Sequence, residues 1–126
     1  MSRLRHMTLV LLSCAAATSG CSRSAESTVE RFYQAVARGE ITEARGYLSS
    51  QVMGTLGQQK VTGALAAEAK RIQQCGGIRT IEVQLTGQGE IRSGTAIVTY
   101  TGTCPEKREK VSLIQENGAW KLGATK

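Results

Sequence analysis

Apolar residues change their spacing twice along this chain. Residues 7–12 form a continuous apolar run that passes through small residues to Ala17. From Val29 to Ile72 the apolar residues recur at three and four, the period of a helix buried along one face. From Ile81 onward they alternate with polar residues, the period of a half-buried strand. The spacing predicts a first helix with Val29, Phe32, Tyr33, Val36 and Ala37 on one face, opened by Ser27-Thr28-Val29-Glu30 as a capping box and ended at Gly39. A second, shorter helix is predicted over residues 42–48, with Ile41, Ala44 and Leu48 inward. A third is predicted over 58–74, where Val61, Ala64, Leu65, Ala69 and Ile72 share a face and Gly76-Gly77 stops the helix.

The second half reads as sheet. Ile81, Val83 and Leu85 alternate with Glu82, Gln84 and Thr86 until Gly87-Gln88-Gly89 breaks the strand. A β-branched stretch predicts a second strand over 95–104, and a third follows over 108–115. Asn117-Gly118 is a strong hairpin signal, returning the chain as a fourth strand over 119–122. Three N-terminal helices followed by a four-stranded antiparallel sheet make an α+β domain with the helices packed on one face.

The first 20 residues stand apart from that domain. Arg3 and Arg5 precede the apolar run, which is too short to span a bilayer, and Thr18-Ser19-Gly20-Cys21 follows it, the layout of a secretory signal peptide. This ending resembles the lipobox of bacterial lipoproteins, in which a cysteine after small residues is acylated and becomes the first residue of the mature chain; Thr18 stands where that family usually has Leu. Leu11-Leu12-Ser13-Cys14 is a weaker match, because cleavage there leaves an apolar run of about six residues, below the usual range of roughly 7–15. The expected division is therefore a signal peptide over 1–20, a lipidated tether over 21–26 beginning at Cys21, and a single domain over 27–126. By the same resemblance, Ser22 in place of Asp after the cysteine implies transit to the outer membrane of a Gram-negative host, facing the periplasm.

Export changes the cysteine arithmetic. Cys14 leaves with the signal and Cys21 carries lipid, so Cys75 and Cys104 remain as a pair in an oxidising compartment and are expected to form a disulfide. Closing a loop of that length stabilises a small domain by roughly 3.5 kcal/mol in the chain-entropy account. The pair lacks C-x-x-C spacing and a neighbouring histidine, which argues against redox or metal chemistry. Arg3 and Arg5 account for two of the 16 basic residues, leaving 14 against 10 acidic ones and a mature net charge of +4. Outside the cytoplasm nucleic acid is not an expected partner; anionic headgroups or an acidic protein surface stay open, but Glu106-Lys107-Arg108-Glu109-Lys110 mixes both signs and reads first as a solvated surface.

Phe32-Tyr33-Gln34-Ala35, Gly39-Glu40-Ile41-Thr42-Glu43-Ala44 and Glu116-Asn117-Gly118-Ala119-Trp120-Lys121-Leu122 occur in an order that resembles a bacterial family of small lipoproteins of unknown function. The resemblance covers nearly all of residues 27–123. It implies the cystatin-like, nuclear-transport-factor-like α+β fold, a curved sheet wrapped around a long helix as a cone. It implies no reaction, because that fold hosts isomerases, dehydratases, transport factors and binding domains alike.

The residue inventory narrows the chemistry. The only histidine, His6, lies in the signal, and the chain has no aspartate. Triads, Asp–His dyads and His-based metal sites are thereby excluded from the mature domain, so no enzyme activity, metal or cofactor is expected. Glu68 and Glu82 are the carboxylates that could enter the cone; periodicity puts Glu68 on the outer face of its helix and Glu82 on the wet face of its strand. At least three of the five aromatic residues are expected in the core, with Trp120 part-exposed. Two function classes survive: a lipid-anchored protein-binding module, such as an inhibitor, immunity protein or accessory subunit of an envelope complex, and a pocket protein for a small apolar ligand. The first is preferred, because few aromatic residues and many small ones disfavour a large apolar cavity. Its candidate binding residues are Trp120, Lys107, Arg108 and Lys110, with the segments 87–94 and 105–110 as loops. Membrane attachment follows from Cys21: the Cys21→Ala chain is expected to lose incorporated palmitate and leave the membrane fraction, and wild-type labelling of that variant would place the lipid elsewhere.

Overall fold

Four helices precede four strands in this computed structural model, which describes residues 24–125. The segment expected as a signal peptide, and Cys21, lie outside the described residues. The helices are α1 (Ala25–Ala37), α2 (Ile41–Gly46), α3 (Ser50–Leu56) and α4 (Gln58–Gln74). The strands β1 (Ile78–Thr86), β2 (Ile91–Tyr100), β3 (Lys107–Glu116) and β4 (Ala119–Leu122) form an antiparallel meander in the order β1-β2-β3-β4. The sheet curves around the helices, so the expected α+β architecture is the one observed.

The first helix starts earlier than its sequence suggests. Ser24, not Ser27, is the N-cap, its hydroxyl accepting from the Ser27 amide at 3.1 Å. Ser27 and Thr28 hydroxyls instead return to the Ser24 carbonyl, which fixes the first turn. The described part of the segment assigned to a tether, residues 24–26, is therefore cap and helix. Ala25, Thr28, Val29, Tyr33, Ala35 and Val36 are buried, a wider stripe than the large residues alone outlined.

Three helices were expected and four are present. Residues 50–56 form α3, which has no fully buried residue and rests on the core through Met53, too little to give a helical period to read. Its caps add to that hold. The Ser49 hydroxyl, itself 1% exposed, accepts from the Val52 amide at 3.2 Å. Glu116 at the end of β3 accepts from the Ser50 amide at 3.0 Å and the Ser50 hydroxyl at 2.6 Å, a carboxylate placed against the positive end of the helix. The helix over 42–48 is shorter than expected because Leu48 leaves it to form a parallel bridge with Leu122. That bridge, with Ser49 donating to the Leu122 carbonyl and Leu122 to that of Tyr47, covers the β4 edge of the sheet. On α4, Val61, Leu65 and Ile72 are buried and Ala69 packs against the core, whereas Ala64 is exposed.

The β2 strand is shifted toward the N-terminus, running over Ile91–Tyr100 rather than 95–104. Half of the segment expected as a loop over 87–94 is thus strand, and β3 likewise begins at Lys107, inside the segment 105–110. Gly94 sits where the two strands approach most closely: a Cβ built there falls 1.8 Å from the Gln84 carbonyl oxygen on β1, so only glycine fits. Asn117 and Gly118 both have positive φ, 51° and 79°, as a type I′ hairpin between β3 and β4 requires.

Cys75 and Cys104 lie at disulfide distance, with Cα atoms 5.4 Å apart. The link joins the C-cap of α4 to the β2–β3 loop, not to the end of a strand, because β2 has already finished at Tyr100. Backbone bonds reinforce it: Gly102 donates to the Cys75 carbonyl and Thr101 to that of Gly77, both at 2.9 Å. A Cβ on Gly102 would stand 2.6 Å from the Cys75 carbonyl oxygen, so this clasp depends on a glycine beside each cysteine loop. Replacing both cysteines by serine is expected to lower unfolding stability by about 3 kcal/mol, read as a fall in the urea midpoint with a steeper slope as the unfolded chain expands.

Candidate functional site

Sheet register decides which of the charged residues in Lys107-Arg108-Glu109-Lys110 face the helices. Lys107 pairs with Val98 and Glu109 with Ala96, both of which are buried, so these two charges point into the concave side. Arg108 and Lys110 pair with Ile97 and Thr95 and stand on the convex side. The single strand therefore splits the expected basic segment between two faces.

On the concave side the charges form a continuous chain. Lys107 Nζ lies 2.8 Å from a Glu109 oxygen and 3.2 Å from Glu68 Oε1 on α4. Arg71, one turn further along α4, grips the same Glu68 carboxylate with two nitrogens, at 2.7 and 3.1 Å. Its Nη2 also donates to the Tyr100 hydroxyl at 2.6 Å, while its guanidinium lies 5.2 Å from the centre of that ring. Tyr33 on α1 donates its hydroxyl to the other Glu109 oxygen. Six side chains from α1, α4, β2 and β3 thus satisfy one another, and among the described residues no buried side-chain polar atom lacks a partner.

This arrangement corrects the outward placement of Glu68. Its side chain is 24% exposed and faces the sheet. Glu82, by contrast, is exposed on the convex face as expected. Neither position brings a carboxylate into an empty cavity.

Each shifted group in the network is pushed away from the neutral range. The Arg71 guanidinium, together with Lys107, holds the Glu68 carboxyl below its ordinary 4.5 against the opposing effect of burial. Burial alone lowers the affinity of Lys107 for its proton, but Glu109 and Glu68 outweigh it and leave the ammonium more firmly protonated than usual. Burial, then hydrogen bonding to Glu109, raises the Tyr33 phenol well above its ordinary value. A general acid or base working near pH 7 needs the opposite tuning. Glu68 and Lys107 are thus held in their charged forms.

The remaining candidates sit apart from this network. Arg108 is 64% exposed and ion-paired to Glu106 at 3.1 Å, and Lys110 is exposed beside it on the convex face. Trp120 is half-buried toward the opposite end of the sheet, where Arg92 stacks on its ring at 5.2 Å. Tyr33 and Tyr100 are buried, and Phe32, Tyr47 and Trp120 pack against the core, so every aromatic side chain has a structural contact. Clefts among the described residues lie between surface elements. One of about 670 Å³ separates the end of α1 from α4, and one of about 400 Å³ lies between α1 and the first residues of β1.

Sequence reasoning missed the joint role of Tyr33, Glu68, Arg71, Tyr100 and Glu109. The one local signal was Glu68 and Arg71 at a spacing of three, which places them side by side on a helix. Nothing local links them to β3.

No protein-family model matches the chain, and no curated protein does. A solved structure from Campylobacter jejuni, provisionally assigned as an NTF2-like transpeptidase, matches the fold with a TM-score of 0.69 at 16% sequence identity, over 82% of this chain and 100% of its own. The fold is therefore NTF2-like, in agreement with the nuclear-transport-factor-like architecture expected from the motifs.

The network sets a pH window. Glu68 has a lowered folded pKa, so its contribution is present above 4.5 and is lost as pH falls through the folded value. Tyr33 has a raised one, so its contribution is present below 10.0 and fades as pH rises beyond that. Stability is expected to be flat between these values and to fall on both sides in thermal melts; Glu68→Gln should flatten the acid limb. Lys107→Met, which leaves two part-buried carboxylates without their shared cation, is expected to cost about 1–2 kcal/mol.

Proposed function

We propose that this protein is a lipid-anchored, non-catalytic protein-binding module of the cell envelope, held on the periplasmic face of the outer membrane. In that role it occupies a partner's surface, as an inhibitor or immunity protein does, or serves as an accessory subunit of an envelope complex. The observation that carries this reading is the concave face. Where an enzyme of this fold needs a general acid or base inside the cone, this chain places a self-satisfied set of ion pairs whose shifted members are tuned away from neutral pH.

The activity named for the Campylobacter jejuni structure does not transfer readily. Acyl transfer of the transpeptidase kind calls for an activated nucleophile. Cys75 and Cys104 are spent on each other, and the described residues contain no histidine to activate a hydroxyl. Binding by the outer surface is the simpler use of this architecture, with Arg108 and Lys110 on the convex face as charged contacts for an acidic partner.

Cross-linking in whole cells followed by mass spectrometry tests the reading. The mature chain is expected to hold a periplasmic or envelope protein in stoichiometric amount, and Arg108→Glu with Lys110→Glu to weaken that association at least tenfold while leaving the melting temperature within a few degrees. Recovery of a small molecule inside the cone, with no protein attached, would replace this reading by that of a pocket lipoprotein.

A further inference from the structure

The two ends of the domain differ in what they expose. At one end lies the disulfide clasp, together with the C-terminal ends of α1 and α4: Ala37 and Arg38 share a cleft with Gln73, Gly76 and Gly77. Helix α1 is 13 residues long, so its N-terminus lies about 20 Å from that end. Contacts of α1 with both β1 and β4 give its direction. Its C-terminal half lies along Ile78 and Ile81, so its N-terminal half runs toward β4. The β1–β2 turn and the Asn117-Gly118 hairpin are at that far end too, because the strands are antiparallel.

Three large apolar side chains are exposed among the described residues, and two of them, Ile91 and Ile114, belong to this far end. Ile91, 59% exposed, is the first residue of β2 after the turn, and its cross-strand partner Ile114 is 36% exposed. The third, Leu56, 46% exposed, ends α3 away from the Ser50 amide that Glu116 holds. Ile91 and Ile114 are cross-strand neighbours on the convex face by their register, and together form a small apolar patch.

The covalent attachment point is at the same end. Ser24 caps α1, and Cys21 precedes it by three residues, a span of at most roughly 11 Å of chain. A domain held that closely has little freedom to turn its tethered end away from the lipid surface. We propose that this end docks on the bilayer that holds the lipid, with Ile91 and Ile114 seated at the headgroup boundary. The inference rests on acylation at Cys21. Docking supplies the second contact that a single lipid attachment needs for a fixed orientation, and it turns the disulfide end toward the periplasm. The cost of exposing isoleucine pairs to water is thereby removed.

The full chain, processed in cells and reconstituted in vesicles of phosphatidylethanolamine and phosphatidylglycerol, allows a direct test. With Cys21 acylated and Cys75 bonded to Cys104, a cysteine introduced as Ile91→Cys, Ile114→Cys or Lys70→Cys is the one free thiol of the mature chain and accepts an environment-sensitive fluorophore. Lys70 lies on α4 near the disulfide end and serves as the reference. A quencher carried on the lipids is expected to reduce emission several-fold more at positions 91 and 114 than at position 70. Equal quenching at all three positions in acylated protein overturns the docking while leaving the anchor intact. Shielding of 91 and 114 from water without quenching by lipid also overturns it, in favour of a protein cover. Absence of the acyl chain by mass removes the anchoring reading and this inference together.

Discussion

The ammonium of Lys107 stands between two carboxylates from different layers, Glu68 of α4 and Glu109 of its own strand, and the concave side of the fold is organised around it. Helix α4 packs chiefly on the other helices, so its attachment to the sheet depends on this ion pair midway and on the Cys75–Cys104 clasp at its end. Arg71 extends the link to Tyr100, and Tyr33 closes it from α1. Buried Val61, Leu65 and Ile72 seat α4 in the common core. Directional charge-assisted bonds fix its register against β3, at a desolvation cost that the mutual pairing offsets.

That solution bears on function. Among the described residues every buried side-chain polar atom of the concave side has a partner, and opposite charges, outweighing burial, hold Glu68 ionised and Lys107 protonated at neutral pH. The NTF2-like fold leaves its convex sheet face and its two ends as the remaining surfaces. Of these, the convex face carries exposed Arg108 and Lys110 toward its disulfide end and exposed Ile91 and Ile114 toward the β1–β2 turn, so its two ends differ in chemistry.

The sheet edges show the same division between protection and openness. The β4 edge is covered by the Leu48 bridge and the amides around it, whereas β1 is the terminal strand on the other side. Arg79 and Glu82 on β1 are both exposed, and a register irregularity between Ile78 and Thr80 interrupts its ladder. Charges and a bulge are the usual means by which an uncovered edge avoids pairing with other chains.

By itself the sequence determined the elements whose reason is local. Alternation at Ile81, Val83 and Leu85, the Asn117-Gly118 turn and the three-and-four spacing through Ile72 each follow from the geometry of a few consecutive residues, and together they specified an α+β domain with helices before sheet. The pairing of Cys75 with Cys104 was legible by elimination once the other two cysteines were assigned to the signal and the lipid. Helix α3 was not legible, because one residue resting on the core, Met53, makes no period and the helix is capped by a carboxylate 66 residues away. Nor was the end of β2: the run of β-branched residues continues, but the clasp with Cys75 turns the chain after Tyr100. The face on which Lys107 and Arg108 part company was decided by register, and the inward turn of Glu68 by the cation waiting on β3. These depend on which distant group stands opposite, a property of the assembled layers that no local spacing encodes.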